Sequence, residues 1–123
     1  MTKVLVKQKV QEYIDACFIG DAEKLKSLFH ESAVMSGYFN GQFMFGDITP
    51  FIENIAQTPP MKETEVDYHA SIEKIDVAGK VASVVLVEKG FFGVMNFVNY
   101  LHLIEVNNEW KVSSKNFTSE VNQ

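Results

Sequence analysis

The sequence predicts an α+β fold in which three N-terminal helices pack on a curved antiparallel sheet of about six strands. Up to about residue 30, apolar residues recur every three or four positions, which is the spacing of an amphipathic helix. From Ser32 they alternate with a period of two, which is typical of half-buried strands. With 123 residues, 46% of them hydrophobic, the chain can build one such core, so residues 1–123 are predicted to form a single domain.

Two helices are predicted in the first thirty residues. The apolar face of the first helix comprises Val6, Val10, Tyr13, Ile14 and Cys17. Gly20 follows it, and glycine is favoured there because a helix often ends with a residue in the left-handed conformation. Asp21 is a good N-terminal cap for the second helix. The apolar face of the second helix comprises Ala22, Leu25, Leu28 and Phe29.

A hairpin and a third helix are predicted next. Asn40-Gly41 separates two apolar runs, and both residues accept the positive φ that a tight hairpin turn requires. Thr49-Pro50 is typical of a cap followed by proline in the first turn of a helix. This helix would end at Thr58-Pro59-Pro60, since proline cannot continue a helix.

The remaining residues predict a meander of four long strands. A bulge is expected near Glu73-Lys74, because the apolar alternation changes phase there. Residues 80–89 form a nearly continuous apolar strand, and the turn at 90–93 leads into the run from Val94 to Phe117. That run predicts two strands joined by a turn at Asn107-Asn108.

Charge and composition exclude several classes of function. A net charge of -5 without a cluster of basic residues makes nucleic acid an unexpected partner. No apolar run is long enough to cross a membrane, and residues 1–10 lack the apolar core of a signal peptide, so a cytoplasmic protein without membrane contact is expected. The single cysteine, Cys17, lies in an apolar pattern and is interpreted as a buried thiol.

The predicted arrangement leaves a cone-shaped space between the helices and one face of the sheet, which is a natural apolar pocket. Alternation along the 94–106 strand predicts one face with Asn99 among large apolar residues and the opposite face with Tyr100 and His102. The second face is too apolar to be left in water, so a homodimer through it is expected.

Three motifs resemble the SnoaL-like branch of the nuclear transport factor 2-like superfamily, and within it the group of putative lumazine-binding proteins. They are the helix and joint VQEYIDACFIGD, the strand NYLHL from Asn99 to Leu103, and EWKV from Glu109 to Val112. The resemblance extends from about Val6 to Phe117 and implies a cystatin-like cone. It leaves the function open, because that superfamily includes enzymes, transport adaptors and simple binders.

The ketosteroid isomerases of that superfamily allow site residues to be carried over. Tyr13 falls on the helix tyrosine of these enzymes, and Asn99 falls on the acid of their late strand. In the isomerases, that tyrosine and that acid together form an oxyanion hole. Their catalytic aspartate would fall on Ser36 or Gly37, and neither can serve as the base. Isomerase chemistry by that route is therefore not expected, whereas polar recognition of a ligand is.

The first functional hypothesis is a domain that binds a small hydrophobic or cyclic ligand without a cofactor. The predicted ligand-binding residues are Tyr13, Ser36, Tyr38, Phe51, Phe97, Asn99 and Leu101. Tyr13 and Asn99 are equally compatible with purely structural roles. A metal site is not expected, because no histidine has a second ligand at a suitable spacing.

The alternative is a small cofactor-free enzyme of the dehydratase, cyclase or isomerase type, with His69 or Glu88 as its general base. Glu88 and Lys115 are charged strand residues that could reach the open end of the cone, although solvated strand ends are the commoner location for such residues.

Phe43 and Phe45 are assigned to the core, like most aromatic residues of the chain.

Overall fold

The structure of the chain is a computed structural model that describes residues 2–121. The helices are α1 (Thr2–Ile19), α2 (Ala22–Leu28), α3 (Thr49–Gln57) and α4 (Met61–Thr64). The strands are β1 (Phe29–Phe39), β2 (Gln42–Asp47), β3 (His69–Ala78), β4 (Val81–Phe91), β5 (Met95–Val106) and β6 (Glu109–Val121). They form one curved, unclosed sheet in the order β2-β1-β6-β5-β4-β3, and the helices pack on it. The predicted α+β cone is confirmed.

The sheet is mixed, because one of its neighbouring pairs is parallel. Strands joined by short turns pair antiparallel, as predicted. β1 and β6 are not consecutive, and they pair in parallel with Gly37 opposite Phe117. Because β1 and β6 are far apart in the sequence, no hairpin turn sets the direction of that pair.

The predicted turns and the bulge are confirmed. Asn40 and Gly41 both have positive φ, at 49° and 84°, and so do Asn107 and Asn108, at 52° and 64°. The register of β3 against β4 shifts between Ile72 and Lys74, around the predicted position of the bulge. The residues at these turns therefore specify the hairpins without help from tertiary contacts.

Two boundaries and one short helix differ from the prediction. Phe29 begins β1, so the first strand starts before Ser32 and the second helix ends one residue earlier than expected. Ile48 occupies the N-cap of α3, and Thr49 is its first helical residue, with its N–H donating to the Asp47 carboxylate at 2.8 Å. The short helix α4 was not predicted, because four residues carry too little periodicity to be recognised.

The two faces of the sheet differ in burial as the alternation predicts. On β5, the buried inner residues are Met95, Phe97, Asn99, Leu101 and Leu103. Tyr100 and His102, between them, are exposed on the outer face. The helices therefore cover only the inner face.

The assignment of Phe43 and Phe45 to the core was wrong. Their side chains are 62% and 71% exposed, because β2 is an edge strand and these residues lie on its outer face. Phe45 pairs with Ser36, which lies opposite Asn116 and in the same outer row as Tyr100. The outer face thus carries exposed aromatic side chains on both β2 and β5.

Candidate functional site

A cavity of about 240 Å³ lies between α3, the β1–β2 hairpin and the inner face of β4, β5 and β6. The residues that line it are Met35, Phe39, Met44, Pro50, Phe51, Asn54, Glu88, Phe91, Phe97, Lys115 and Phe117. Pro50 and Asn54 are exposed and mark its mouth. Glu88 and Lys115 are 1% and 5% exposed and mark its deep end. The cavity therefore combines a mostly apolar wall with two buried ionisable side chains.

Lys115 is held over an aromatic ring by a single hydrogen bond. Its Nζ donates to the Tyr13 hydroxyl at 2.8 Å and lies 3.6 Å from the centroid of the Phe51 ring. Burial lowers the pKa of Lys115 below its usual value, because the charged form loses its hydration. The rings of Tyr13, Phe97 and Phe117 also lie within 6.0 Å of Nζ, and such rings attract a cation.

Tyr13 projects from α1, and its ring is completely buried. It stacks on Phe51 with the centroids 6.2 Å apart and meets Phe29 edge to face at 6.0 Å. Burial, together with the nearby Cys17, raises the pKa of Tyr13 well above its ordinary value, so the hydroxyl keeps its proton. Tyr13 is therefore a fixed, neutral partner for the Lys115 amine.

Glu88 is held at the deep end by a donor on each carboxylate oxygen. The Tyr68 hydroxyl donates to Oε2 at 2.5 Å, and Asn99 Nδ2 donates to Oε1 at 2.7 Å. Burial and the adjacent Glu88 carboxylate raise the pKa of Tyr68, so it remains a donor. Two donors on one carboxylate stabilise its orientation in an apolar setting.

Asn99 supports Glu88 from behind the cavity wall. Its Nδ2 also donates to the carbonyl oxygen of Leu86 at 3.2 Å, so the amide group is fixed by two acceptors. Its Oδ1 is buried, and it has no hydrogen-bond partner within residues 2–121. A buried carbonyl oxygen without a donor is unfavourable by about 1–3 kcal/mol.

Lys115 and Glu88 do not neutralise each other directly. Within the described part of the chain, no carboxylate forms an ion pair with Lys115. Each charged group is bound instead by its own neutral partners, which are Tyr13 for the amine and Tyr68 with Asn99 for the carboxylate. Both groups thus keep hydrogen-bonding capacity on the cavity side.

The predicted ligand-binding residues divide into three locations. Phe51 and Phe97 line the cavity. Tyr13, Asn99 and Leu101 are fully buried and are not among the lining residues. Tyr13 and Asn99 hold the two charged side chains, whereas Leu101 packs in the core.

Ser36 and Tyr38 lie on the outer face of the sheet, away from the cavity. Met35 and Gly37 occupy the inner positions of β1, so the residues between and after them point outward. Tyr38 packs against Phe43 with the ring centroids 5.7 Å apart. Both residues are therefore separated from the cavity by the sheet.

The two predicted general bases are also separated. Glu88 lies in the cavity wall, whereas the His69 side chain is 74% exposed and bonds the exposed Asp67 at 2.7 Å. Sequence reasoning placed Lys115 within reach of the cone but gave it no binding role, and it gave Tyr68 no role in the site. The available signal for Lys115 was its position two residues before Phe117, in the inward phase of β6.

No helix within residues 2–121 is long and apolar enough to cross a membrane. A cytoplasmic location stays a prediction. Among the same residues, no group of three or more histidine, cysteine and acidic side chains is arranged to hold a metal ion.

Solved structures of similar fold come from several bacteria. An NTF2-like protein of unknown function from Shewanella baltica OS155 superposes with a TM-score of 0.83 at 20% identity, covering 94% of this chain and 91% of that one. One from Methylobacillus flagellatus KT gives 0.82 at 21% identity, covering 94% and 89%. A putative dehydratase from the NTF2-like family of Streptomyces avermitilis gives 0.66 at 17% identity, covering 95% and 94%. At these identities the likeness establishes the fold alone.

No curated protein matches the chain. The family described as putative lumazine-binding matches residues 1–118, which is nearly the whole sequence. The family match agrees with the cone fold. This chain therefore belongs to the putative lumazine-binding family.

Proposed function

We propose that this chain binds a small cyclic ligand in the cavity and that Lys115 donates a hydrogen bond to an oxygen of that ligand. The observation that carries the proposal is a buried amine in an apolar wall that has one hydrogen-bond partner among residues 2–121, the Tyr13 hydroxyl. A lysine amine carries at least two N–H groups, so a donor remains for a ligand in the cavity. Specific sites commonly combine an apolar wall with a few such polar groups.

The size of the cavity narrows the class of ligand. Its volume of about 240 Å³ lies slightly below the roughly 300–1,000 Å³ of pockets that hold drug-sized ligands. A ligand of one or two rings suits this volume better than a four-ring steroid. The name of the family suggests lumazine, a two-ring pteridine whose carbonyl oxygens can accept from Lys115.

Binding is tested by titrating pterins, including lumazine, and then flavins, steroids and aromatic polyketides, with calorimetry and thermal shift as readouts. We expect a one- or two-ring compound to raise the melting temperature of the wild-type protein. A Lys115→Met variant should lose about tenfold or more in affinity, because a hydrogen bond from a charged or buried amine contributes about 1.5–3 kcal/mol.

Lys111→Met is the matched control, since Lys111 lies on the same strand but donates to the Ser27 carbonyl at the surface. It should bind like the wild type. A failure of all compounds to bind, or equal affinity of the Lys115→Met variant and the wild type, would contradict the proposal.

A second candidate function is a cofactor-free enzyme with Glu88 as its general base. A buried carboxylate in the cavity wall favours it, since proton abstraction from carbon needs a base in contact with the substrate. Incubation of the protein with cyclic ketones in D₂O distinguishes the two functions. Exchange of α-hydrogens by the wild type and not by Glu88→Gln supports an enzyme, whereas binding without exchange supports a binder.

We also propose a homodimer through the outer face of the sheet. Tyr100, Phe43 and Phe45 expose aromatic surface there, and the second copy would cover it. A Phe45→Glu substitution should shift the molar mass measured by light scattering from dimer to monomer, because it would bury a charge in the interface. Val4→Glu adds the same charge to an exposed apolar position of α1 and should leave the dimer intact. A monomeric wild type would refute the dimer.

A further inference from the structure

Lys115 places a primary amine in the wall of an apolar cavity. This environment favours covalent reaction of the amine as well as hydrogen bonding. Lys115 is 5% exposed, and it lines the cavity that opens past Pro50 and Asn54. No carboxylate of residues 2–121 forms an ion pair with it. Lysines are activated as nucleophiles when an apolar pocket removes them from water.

We propose that Lys115 forms an imine with small apolar aldehydes or ketones that enter the cavity. The inference rests on the proposed function, because the same cavity must admit a ligand. It goes further by assigning a carbonyl group to that ligand and a covalent role to the amine.

The reaction is balanced by the amine and the carbonyl compound alone. The Nζ lone pair forms a bond to the carbonyl carbon, and the oxygen takes a proton to give a carbinolamine. A second proton then reaches that oxygen, the C–O bond breaks, and water leaves as the nitrogen lone pair completes the C=N bond. The two hydrogens lost from the amine are those found in the water.

The surroundings of Nζ favour both the first and the last step of this reaction. Burial lowers the pKa of Lys115, which raises the fraction of neutral, nucleophilic amine. The Tyr13 hydroxyl lies 2.8 Å from Nζ and retains its proton, so it can donate a hydrogen bond to the carbinolamine oxygen. The Phe51 ring, 3.6 Å away, stabilises the positive charge of a protonated imine.

The cavity wall selects the carbonyl compound. Met35, Phe97 and Phe117 contribute apolar surface beside Lys115, so an aromatic or cyclic carbonyl compound is favoured over a sugar or a keto acid. Glu88 adds a negative charge to the same cavity, which further disfavours anionic compounds. Benzaldehyde, with one ring and one carbonyl group, is a suitable probe for this space.

The test is reductive trapping with benzaldehyde and cyanoborohydride at neutral pH, followed by intact-mass analysis and peptide mapping. We expect one benzyl group per chain, located on Lys115, and faster labelling there than at Lys111, since a lowered pKa increases the fraction of neutral amine. Lys115→Met should lose this fast label, and Lys111→Met should keep it. Circular dichroism of each variant verifies that it is folded.

Benzyl alcohol separates this inference from the proposed function, because it has the same ring and no carbonyl group. Binding of the alcohol, seen as a thermal shift or as NMR line broadening, together with labelling spread evenly over surface lysines, would overturn the imine and leave the binding site standing. Absence of both alcohol binding and fast labelling would overturn both proposals. A fast label at Lys115 that free benzyl alcohol slows would support both.

Discussion

Replacing Asn99 by aspartate is expected to lower the free energy of unfolding by about 3–4 kcal/mol at neutral pH and by much less near pH 4. The Asn99 amide donates to the Glu88 carboxylate at 2.7 Å, so the substitution brings two buried carboxyl groups into contact. One of them must bind a proton in the folded state. Both groups lose their protons above about pH 4 in the unfolded chain, so the folded variant binds one proton more and loses stability as the pH rises.

Urea unfolding between about pH 4 and pH 7, followed by circular dichroism, measures this dependence. Asn99→Leu is the control, because it removes the same donor without adding a charge, and its loss of stability should change less with pH. The predicted contact between the amide and the carboxylate would be refuted if Asn99→Asp lost stability equally at both ends of this range.

Gly37→Ala is expected to destabilise the fold by about 3 kcal/mol, because the site has no room for a methyl group. A Cβ at this position would lie 2.0 Å from the carbonyl oxygen of Phe117 and 2.8 Å from its ring. The carbonyl belongs to the backbone of β6, so it can move only if the parallel β1–β6 pair separates. Thermal and urea unfolding of the variant measure the effect.

Gly46→Ala provides the comparison. Gly46 lies on the neighbouring edge strand β2, and a Cβ added there would have no described neighbour within 4 Å, so the change should stay within about 0.5 kcal/mol. If both variants unfolded alike, the close approach of β1 and β6 would not be what requires glycine at position 37.

Local chemistry made the hairpins and the end of α1 predictable. Asn40-Gly41 and Asn107-Asn108 turn because their backbones accept positive φ, and Gly20 ends α1 for the same reason. The phase change around Glu73 likewise revealed the bulge without any knowledge of the sheet. These features depend on a few adjacent residues, which is why single-sequence reasoning finds them.

Strand order and the environment of the edge were harder to predict. Alternation identifies the two faces of β2, but it does not say that its outer face lacks a covering layer, so Phe43 and Phe45 were assigned to the core. The parallel pairing of β1 with β6 also has no local signature. Both depend on contacts between distant parts of the chain.

The candidate site was predicted in part. Asn99 and Tyr13 were recognised as unusual polar residues on inward faces, yet each contacts a charged side chain rather than the cavity. Lys115 and Glu88 were predicted to lie within reach of the open end of the cone, with a solvated strand end as the commoner location. Their burial follows from partners on other elements, which no spacing within one strand can reveal.

The parallel β1–β6 pair also determines the order in which the domain can fold. Val34 pairs with Ser114, and Tyr13 meets Lys115 across 102 positions of sequence, so these contacts require closure of a very long loop. Such contacts slow folding, and during synthesis β1 has no partner on this side until β6 has left the ribosome. Until β6 pairs with them, β1 and β5 each expose an unpaired edge that can recruit another chain. The strand that completes the cavity is thus also the strand that covers these two edges.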